Sequence, residues 1–443
     1  MTPPVAPQRD TAGWFSHPRG LSTLFFTEMW ERFSFYGLKA LLILFMTAAV
    51  TQGGLGFTDQ RAGNVIGWYG FGVYASAIFG GLAADKVFGQ YRSVLLGGII
   101  IALGHFSMAV PTVPTFYLGL CLIIVGTGLL KPNASTMVGA LYDAADARRD
   151  AGFSIFYVGI NVGAFVAPLV VGTLGQNVNW HVGFACAGVG MIIGLIQYVA
   201  GKPRLMPALE RLGQTDTHAA RSAEAWWRFE RDEWGRVAAI AVLFVFSSIF
   251  WGAFEQASSS LNLFADRLTR NTAFGYNFPS TWYQSLNSMF MILGLAPLIG
   301  WFWIRLGPRQ PSSPVKFALG LIFVGLGFAL IVPAAKLTQQ GTLVSPWWLI
   351  GLYFLHTIGE LCLSTVGLSI VTKLAPQRIV GAMMGLWFLS IAVGNKLAGM
   401  AGGLFDTLPL PDLFGAVAVT TFVAAAILLL LTRPLQRLMG GVR

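Results

Sequence analysis

Apolar runs of about twenty residues recur along the whole chain, separated by short polar or Pro-rich joints. They fall near residues 21–50, 62–84, 92–111, 114–140, 151–176 and 180–200, then near 236–265, 281–305, 315–335, 346–374, 379–404 and 411–432. Each is long enough to cross a bilayer as a helix, which takes about 20 predominantly apolar residues. The pattern predicts an all-α polytopic membrane protein with twelve transmembrane helices in two six-helix bundles, residues 1–200 and 236–443. Residues 201–235, which include "RFERDEWGR", are too polar to span and read as an amphipathic or loosely ordered linker.

The basic residues orient this layout. With both termini on one side, the loops of that side hold Arg19, Lys86, Arg92, Arg148, Arg149, the linker's cations and the Arg433–Arg437 tail. The opposite side holds only Arg61, Arg267, Arg270 and Lys336. Lys and Arg accumulate in cytoplasmic loops, so both termini are expected in the cytoplasm of a cell with this chain in its membrane, a bacterial inner membrane. The net charge of +10 is thereby a topological signature, and no nucleic-acid partner is expected. Charged residues make up 11% of the chain and hydrophobic ones 55%, with mean hydropathy +0.65; soluble domains carry about 25% charged residues. The first apolar run is too long and too charged for a cleavable signal and is expected to remain.

Catalytic and metal chemistry find no foothold. Cys121, Cys186 and Cys362 lie at unrelated spacings in apolar segments, which argues against a disulfide framework or metal site. The five histidines are dispersed, and there is neither a phosphate loop nor a nucleophile elbow. The run "GTGLLKP" at 126–132 lacks the glycine–lysine pair of a phosphate loop. No enzyme activity, cofactor or metal is expected.

The informative residues are charges inside predicted helices: Glu28, Glu31, Arg32, Lys39, Lys131, Glu255, Glu360 and Lys396. Such groups cost several kcal/mol near the bilayer centre and mark cavities, pathways or ion pairs. Four acids and four bases could in principle neutralise one another completely, either as static pairs that stitch helices together or as a transport path. In "TEMWERFSFYGLKALL" (27–42), helical spacing of roughly 100° per residue sets Glu28, Arg32, Phe35 and Lys39 on one stripe, with Glu31 and Tyr36 beside it. Lys131 adjoins the helix-distorting Pro132, and Lys396 suits snorkelling or a local pair. Glu255 lies in "SSIFWGAFEQASSS", a segment without a cation. The halves also echo one another: "FTEMWERFS" (26–34) aligns with "FWGAFEQAS" (250–258), matching Phe26 to Phe250, Glu31 to Glu255 and Ser34 to Ser258. Two six-helix halves joined by a linker are the layout of major facilitator transporters, and "GGLAADKVFGQYR" (80–92) resembles the helix 2–3 motif of that superfamily.

More specific signatures follow. "EMWERFSFYG" (28–37) resembles the E-x-x-E-R-F-x-Y-Y-G motif of the proton-dependent oligopeptide transporter (POT) family, with Phe35 in place of a tyrosine. "DARRDAGFSIFYVGINVG" (146–163) resembles its second signature, F-Y-x-x-I-N-x-G behind a charged loop. "FWGAFEQASSS", "SLNSMF", "GELCLSTVGLS" and "MMGLWFLS" match further segments of the family. The resemblance runs from residue 21 to about 432. It departs in lacking the two extra helices that many bacterial members carry between the halves, and the helix-two histidine of animal relatives.

This resemblance implies a major facilitator fold and proton-coupled import of di- and tripeptides by alternating access, by a chain functional as a monomer. It implies proton coupling through Glu28, Glu31, Arg32, Lys131 and Glu255. It implies a substrate site built from Tyr36, Lys39, Tyr74, Lys131, Asn161, Glu255, Asn287, Glu360, Ser364 and Trp387. In that scheme the peptide carboxylate meets Lys39 and Lys131, the amino terminus meets Glu360, and Lys39–Glu255 and Lys131–Glu360 are the interbundle gate pairs. The rival readings keep the fold and change the cargo to nitrate, another anion or a drug, or make the scaffold a signalling receptor.

Overall fold

A bilayer offers the backbone no hydrogen-bonding partners, so a spanning segment must satisfy its own amides and carbonyls as a helix. The computed structural model describes residues 10–143, 146–215, 231–273, 275–376 and 379–440, and it follows this rule almost throughout. Eleven helices are long and apolar enough to cross a membrane. The helix Gly20–Thr47, 28 residues long and bearing Glu28, Glu31, Arg32 and Lys39, joins them as the twelfth. In chain order they are α1 (Gly20–Thr47), α2 (Asp59–Ala83), α3 (Gln90–Met108), α4 (Val113–Ala140), α5 (Arg149–Asn177) and α6 (Trp180–Ala200), then α7 (Glu233–Arg267), α8 (Ser280–Leu306), α9 (Ser313–Thr338), α10 (Trp347–Leu374), α11 (Val380–Gly403) and α12 (Leu410–Leu438). The only strands among the described residues are two dipeptides, Thr272–Ala273 and Tyr276–Asn277, paired in the α7–α8 connection.

The helix ends follow from local chemistry. The Thr58 hydroxyl accepts the amide of Arg61 at the start of α2, and Thr112 accepts that of Thr115 at the start of α4, satisfying donors that a helix N-terminus leaves free. Several helices are interrupted. Pro168 opens a wide turn within α5, and α8 bends at Gly294, whose φ of 125° suits glycine alone. In α7, a tighter turn begins at Glu255 itself.

Part of the linker is ordered. Lys202–Thr215 forms a helix that buries Leu205 and Ala208 against the N-terminal bundle. Arg211 of this helix donates to the carbonyl of Ala140 at 3.0 Å and pairs with Asp143 at 3.3 Å. Residues 216–230, with Arg221 and Arg228, lie outside the described residues.

The two bundles are tied together most firmly on the face away from the termini. Arg267 of α7 forms a bidentate pair with Asp59 of α2, both contacts 2.8 Å, and reaches Asp406 at 3.2 Å. Gln176 of α5 donates to Asp266 (3.0 Å) and Ser280 (2.9 Å), and Trp282 donates to Thr173 (2.8 Å). Between α2 and α11 the backbones touch: a Cβ added at Gly63 would stand 2.4 Å from the carbonyl oxygen of Gly399. Small residues allow this close approach where lipid supplies no hydrophobic drive.

Candidate functional site

The first stripe is where the sequence places it, and it is buried. Glu28 is 2% exposed and Glu31 0%. Both carboxylates lean on the guanidinium of Arg32, Glu28 at 3.2 Å and Glu31 in closer contact. One cation thus serves two acids, which leaves a surplus negative charge in a dry setting. Phe35 lies over both neighbouring cations, 5.0 Å from Arg32 and 5.8 Å from Lys39. Its ring packs edge-on to Tyr36 and stacks with Tyr69.

Two turns further along α1, Lys39 pairs directly with Glu255 across the bundle seam. The cation that the Glu255 segment lacks is therefore supplied by the other half of the molecule. Asn262, two turns further along α7, donates to the carbonyl of Ala40 at 2.9 Å and fixes the same seam. Lys131 sits in α4 beside Pro132 with its ammonium 4.2 Å from the centre of the Tyr74 ring. It lies within electrostatic reach of Glu28, Glu31, Arg32 and Glu255.

The opposite wall belongs to α8 and α10. Asn287 donates to Glu360 at 2.9 Å and to the hydroxyl of Thr357 at 3.2 Å, while Thr357 donates to the carbonyl of Tyr353 at 2.7 Å. The carboxylate of Glu360 is thereby aimed by a neutral amide, so its second lone-pair face stays open to another donor. Lys131 holds its cation–π contact with Tyr74, and the Lys131–Glu360 gate pair expected from sequence is not formed in this conformation. Asn161 is held by its own helix, donating to the carbonyl of Tyr157 at 3.0 Å. Ser364 stands one turn beyond Glu360, half-buried. Trp387 is buried against Phe317 and Gly367 in the C-terminal core.

Two residues not singled out from sequence belong to the same chamber. Tyr157, one turn before Asn161, keeps 40% of its surface exposed and lies within electrostatic reach of Glu360 and Tyr36. Thr357 completes the Asn287–Glu360 group. Both precede a recognised residue by a helical turn, the spacing at which helix neighbours share a face.

Lys396 corrects the charge balance drawn from sequence. Its ammonium pairs with no acid among the described residues: it donates to the side-chain oxygen of Asn64 at 2.8 Å and lies 4.4 Å over the Trp68 ring. The central group therefore consists of four acids, Glu28, Glu31, Glu255 and Glu360, against three bases, Arg32, Lys39 and Lys131. Complete neutralisation by side chains alone fails by one charge.

Comparison with known proteins gives a consistent picture. The family model described as "POT family" matches residues 91–211 and 212–415. The peptide transporter YePEPT of Yersinia enterocolitica is 38% identical, with 97% of each chain aligned. The di-/tripeptide transporter of Lactococcus lactis subsp. cremoris is 36% identical over 97% of this chain and 98% of its own. Among solved structures, a peptide transporter POT in complex with sulfate superposes with a TM-score of 0.88 at 40% identity, covering 97% of both chains. A POT family transporter in complex with 5-aminolevulinic acid gives 0.87 at 31% identity, covering 96% of this chain and 98% of that one.

Proposed function

This chain belongs to the POT family, and from that premise we propose that it is a proton-coupled symporter that imports di- and tripeptides by alternating access of its two bundles. The observation that carries the reading is that the central bases all face the C-terminal bundle's acids from the N-terminal bundle. The N-terminal bundle contributes every central base, and the C-terminal bundle contributes Glu255 and Glu360. A peptide is a zwitterion with its charges at opposite ends, so its carboxylate is matched to Lys131 and its amino terminus to Glu360. Tyr36, Tyr74 and Asn161, with Ser364 one turn beyond Glu360, supply the walls for side chains and amide groups, while Trp387 supports them from the C-terminal core. Apolar and aromatic walls discriminate weakly between side chains, which suits a cargo of varied sequence.

The proton role rests on the unbalanced acid. A zwitterion adds no net charge, so the surplus negative charge of the empty chamber persists when peptide enters and is neutralised by a proton on the Glu28–Glu31–Arg32 group or on Glu255. With the termini assigned to the cytoplasm by the distribution of basic residues, the ties through Arg267, Gln176 and Lys39 close the extracellular side. The conformation is then inward-facing. A complete chamber lies within one chain, so the monomer is the transport unit, embedded in the cell membrane. Nitrate or another simple anion suits the chamber less well, because Glu360 would face it with a like charge.

Uptake of a labelled dipeptide into liposomes, driven by an inward proton gradient, tests this. Accumulation abolished by a protonophore is the expected result. Uptake indifferent to the gradient, or absent for dipeptides and present for nitrate, would replace it with a rival.

A further inference from the structure

Lys396 and its surroundings are not used by the transport chamber. On α2, Arg61, Asn64 and Trp68 follow one another at helical spacing and line a cleft of about 550 Å³, whose other walls are Tyr117, Leu120 and Ile124 of α2's neighbour α4 and its approach. The stem of Lys396, from α11, lies on Gly67. Its ammonium reaches Asn64 and the Trp68 ring at the rim of the cleft. Arg61 lies flat on Phe57, 3.7 Å from the ring centre, and donates to the Tyr117 hydroxyl at 3.4 Å.

Neither cation has a carboxylate within ion-pair distance among the described residues. The acids at this end of α2 and α11, Asp59 and Asp406, are both held by Arg267. Two uncompensated positive charges thus stand at the mouth of a mostly apolar cleft, on the membrane side of the molecule. Trp68 is 59% exposed there, as expected of an indole at a lipid boundary. Depth also fits. At 1.5 Å per residue, Asn64 lies roughly 8 Å and Trp68 roughly 13 Å below the start of α2, so the cleft runs from headgroup level into the hydrocarbon. A lysine stem at this depth extends its ammonium outward to the interface.

We propose that this α2–α4 cleft, with Lys396 of α11 at its rim, binds an anionic phospholipid, its phosphodiester held between Arg61 and Lys396 and one acyl chain lying along Val65, Leu120 and Ile124. The two cations come from different bundles, so the bound lipid bridges the α2–α11 seam and is complete only while that seam is closed. The proposal draws on the transport reading only in naming the leaflet as the outer one; lipid retention is measured without transport, so either can fail alone.

The test is native mass spectrometry of the full-length protein in detergent, titrated with phosphatidylglycerol or phosphatidylcholine, for wild type, R61Q, K396Q, the double variant and R270Q. Basic residues near a lipid surface contribute about fivefold each to binding of an anionic lipid. Wild type is expected to hold phosphatidylglycerol in preference to phosphatidylcholine. Each single variant should bind it about fivefold more weakly and the double variant roughly 25-fold, with R270Q, an exposed cation outside the cleft, unchanged. R61Q alters an exposed side chain and carries the test if K396Q fails to fold. Equal retention of the two lipids by wild type, undiminished phosphatidylglycerol retention in R61Q and the double variant, or displacement of the lipid by free glycerol phosphate would each overturn the proposal.

Discussion

Replacing Glu255 by Gln separates the two tasks given to this residue. The Lys39–Glu255 pair is shielded, with side-chain exposures of 10% and 7%, and it joins α1 to α7 across the seam. Removing one member of a buried pair typically costs about 3–5 kcal/mol, because the remaining charge is left without a counter-ion. Glutamine can still accept one hydrogen bond from the Lys39 ammonium, which places the cost at the lower end, about 3 kcal/mol. That cost falls only on the conformation in which the seam is closed. At about 1.4 kcal/mol per tenfold, the balance between closed and open seams shifts by roughly a hundredfold toward opening. The substitution also fixes this site in a permanently neutral form. Concentrative uptake should therefore collapse, while exchange of peptide for peptide, which needs no net proton cycle, survives in part.

The assays are proton-driven uptake and counterflow in the same liposomes, with spin-label distances across the α2–α11 seam reporting its opening. A double variant, Lys39→Met with Glu255→Leu, should recover closure without recovering coupling, since well-packed apolar pairs often replace buried ion pairs at little cost. Glu255→Gln protein that accumulates dipeptide against its gradient would refute the coupling role. An unchanged seam distance would refute the gate.

Other substitutions probe the remaining parts. Lys131→Ala should abolish proton-driven uptake in folded protein, and wild-type accumulation would remove Lys131 from the site. Glu360→Gln should weaken peptides with free amino ends more than their N-acetylated forms; equal losses in competition assays would make Glu360 a structural partner of Asn287. Gly63→Val should stop the α2–α11 seam from closing, since even a Cβ there meets the Gly399 carbonyl; normal closure in spin-label measurements would contradict the geometry. Just ahead of α1, His17 shares a 2.8 Å hydrogen bond with the Tyr142 hydroxyl. Burial, with the Arg148 charge adding to it, holds its pKa below the ordinary 6.5. The unfolded chain then takes up the proton first as pH falls, so the stability His17 contributes is present above pH 6.5 and is lost on acidification below it. The thermal midpoint should fall less between pH 7.5 and 5.5 in His17→Gln than in wild type, and parallel falls would clear His17 of the effect.

The fold was legible because lipid imposes a severe rule on sequence. Twenty apolar residues between polar joints admit one solution, so the span limits drawn from hydropathy and those in the structure differ by a few residues at most ends. The stripe on α1 was legible for the same reason: charges are too costly in such a helix to be incidental, and helical spacing alone puts Glu28, Arg32 and Lys39 together. Pairing between helices was far less legible. Whether Glu255 meets Lys39, or Glu360 meets Lys131 or Asn287, depends on how two separately folded bundles dock, and no local periodicity encodes that. Lys396 misled the charge count because composition cannot distinguish a lysine facing the chamber from one facing lipid. Tyr157 and Thr357 carried a usable signal, since each stands one turn ahead of a residue already marked.

On the proposed reading, the docking of the bundles explains why a peptide and a proton travel together. With the seam closed, Lys39 is committed to Glu255, leaving Arg32 and Lys131 to face Glu28, Glu31 and Glu360. When a peptide arrives, its amino terminus compensates Glu360 and its carboxylate claims Lys131. Glu28 and Glu31 are then left with Arg32 alone, and in so dry a setting the second carboxylate is tolerated only with a proton on it. Peptide binding and proton binding thus favour one another through a shared cation, and linkage makes the preference mutual. Neither ligand needs to touch the other. A peptide analogue without its carboxylate would leave Lys131 with the acids, so it should bind without drawing in the extra proton. The proton uptake that accompanies binding, measured in weakly buffered solution, should be present for a dipeptide and absent for its C-terminal amide; equal uptake for both would show that Lys131 is not the shared cation.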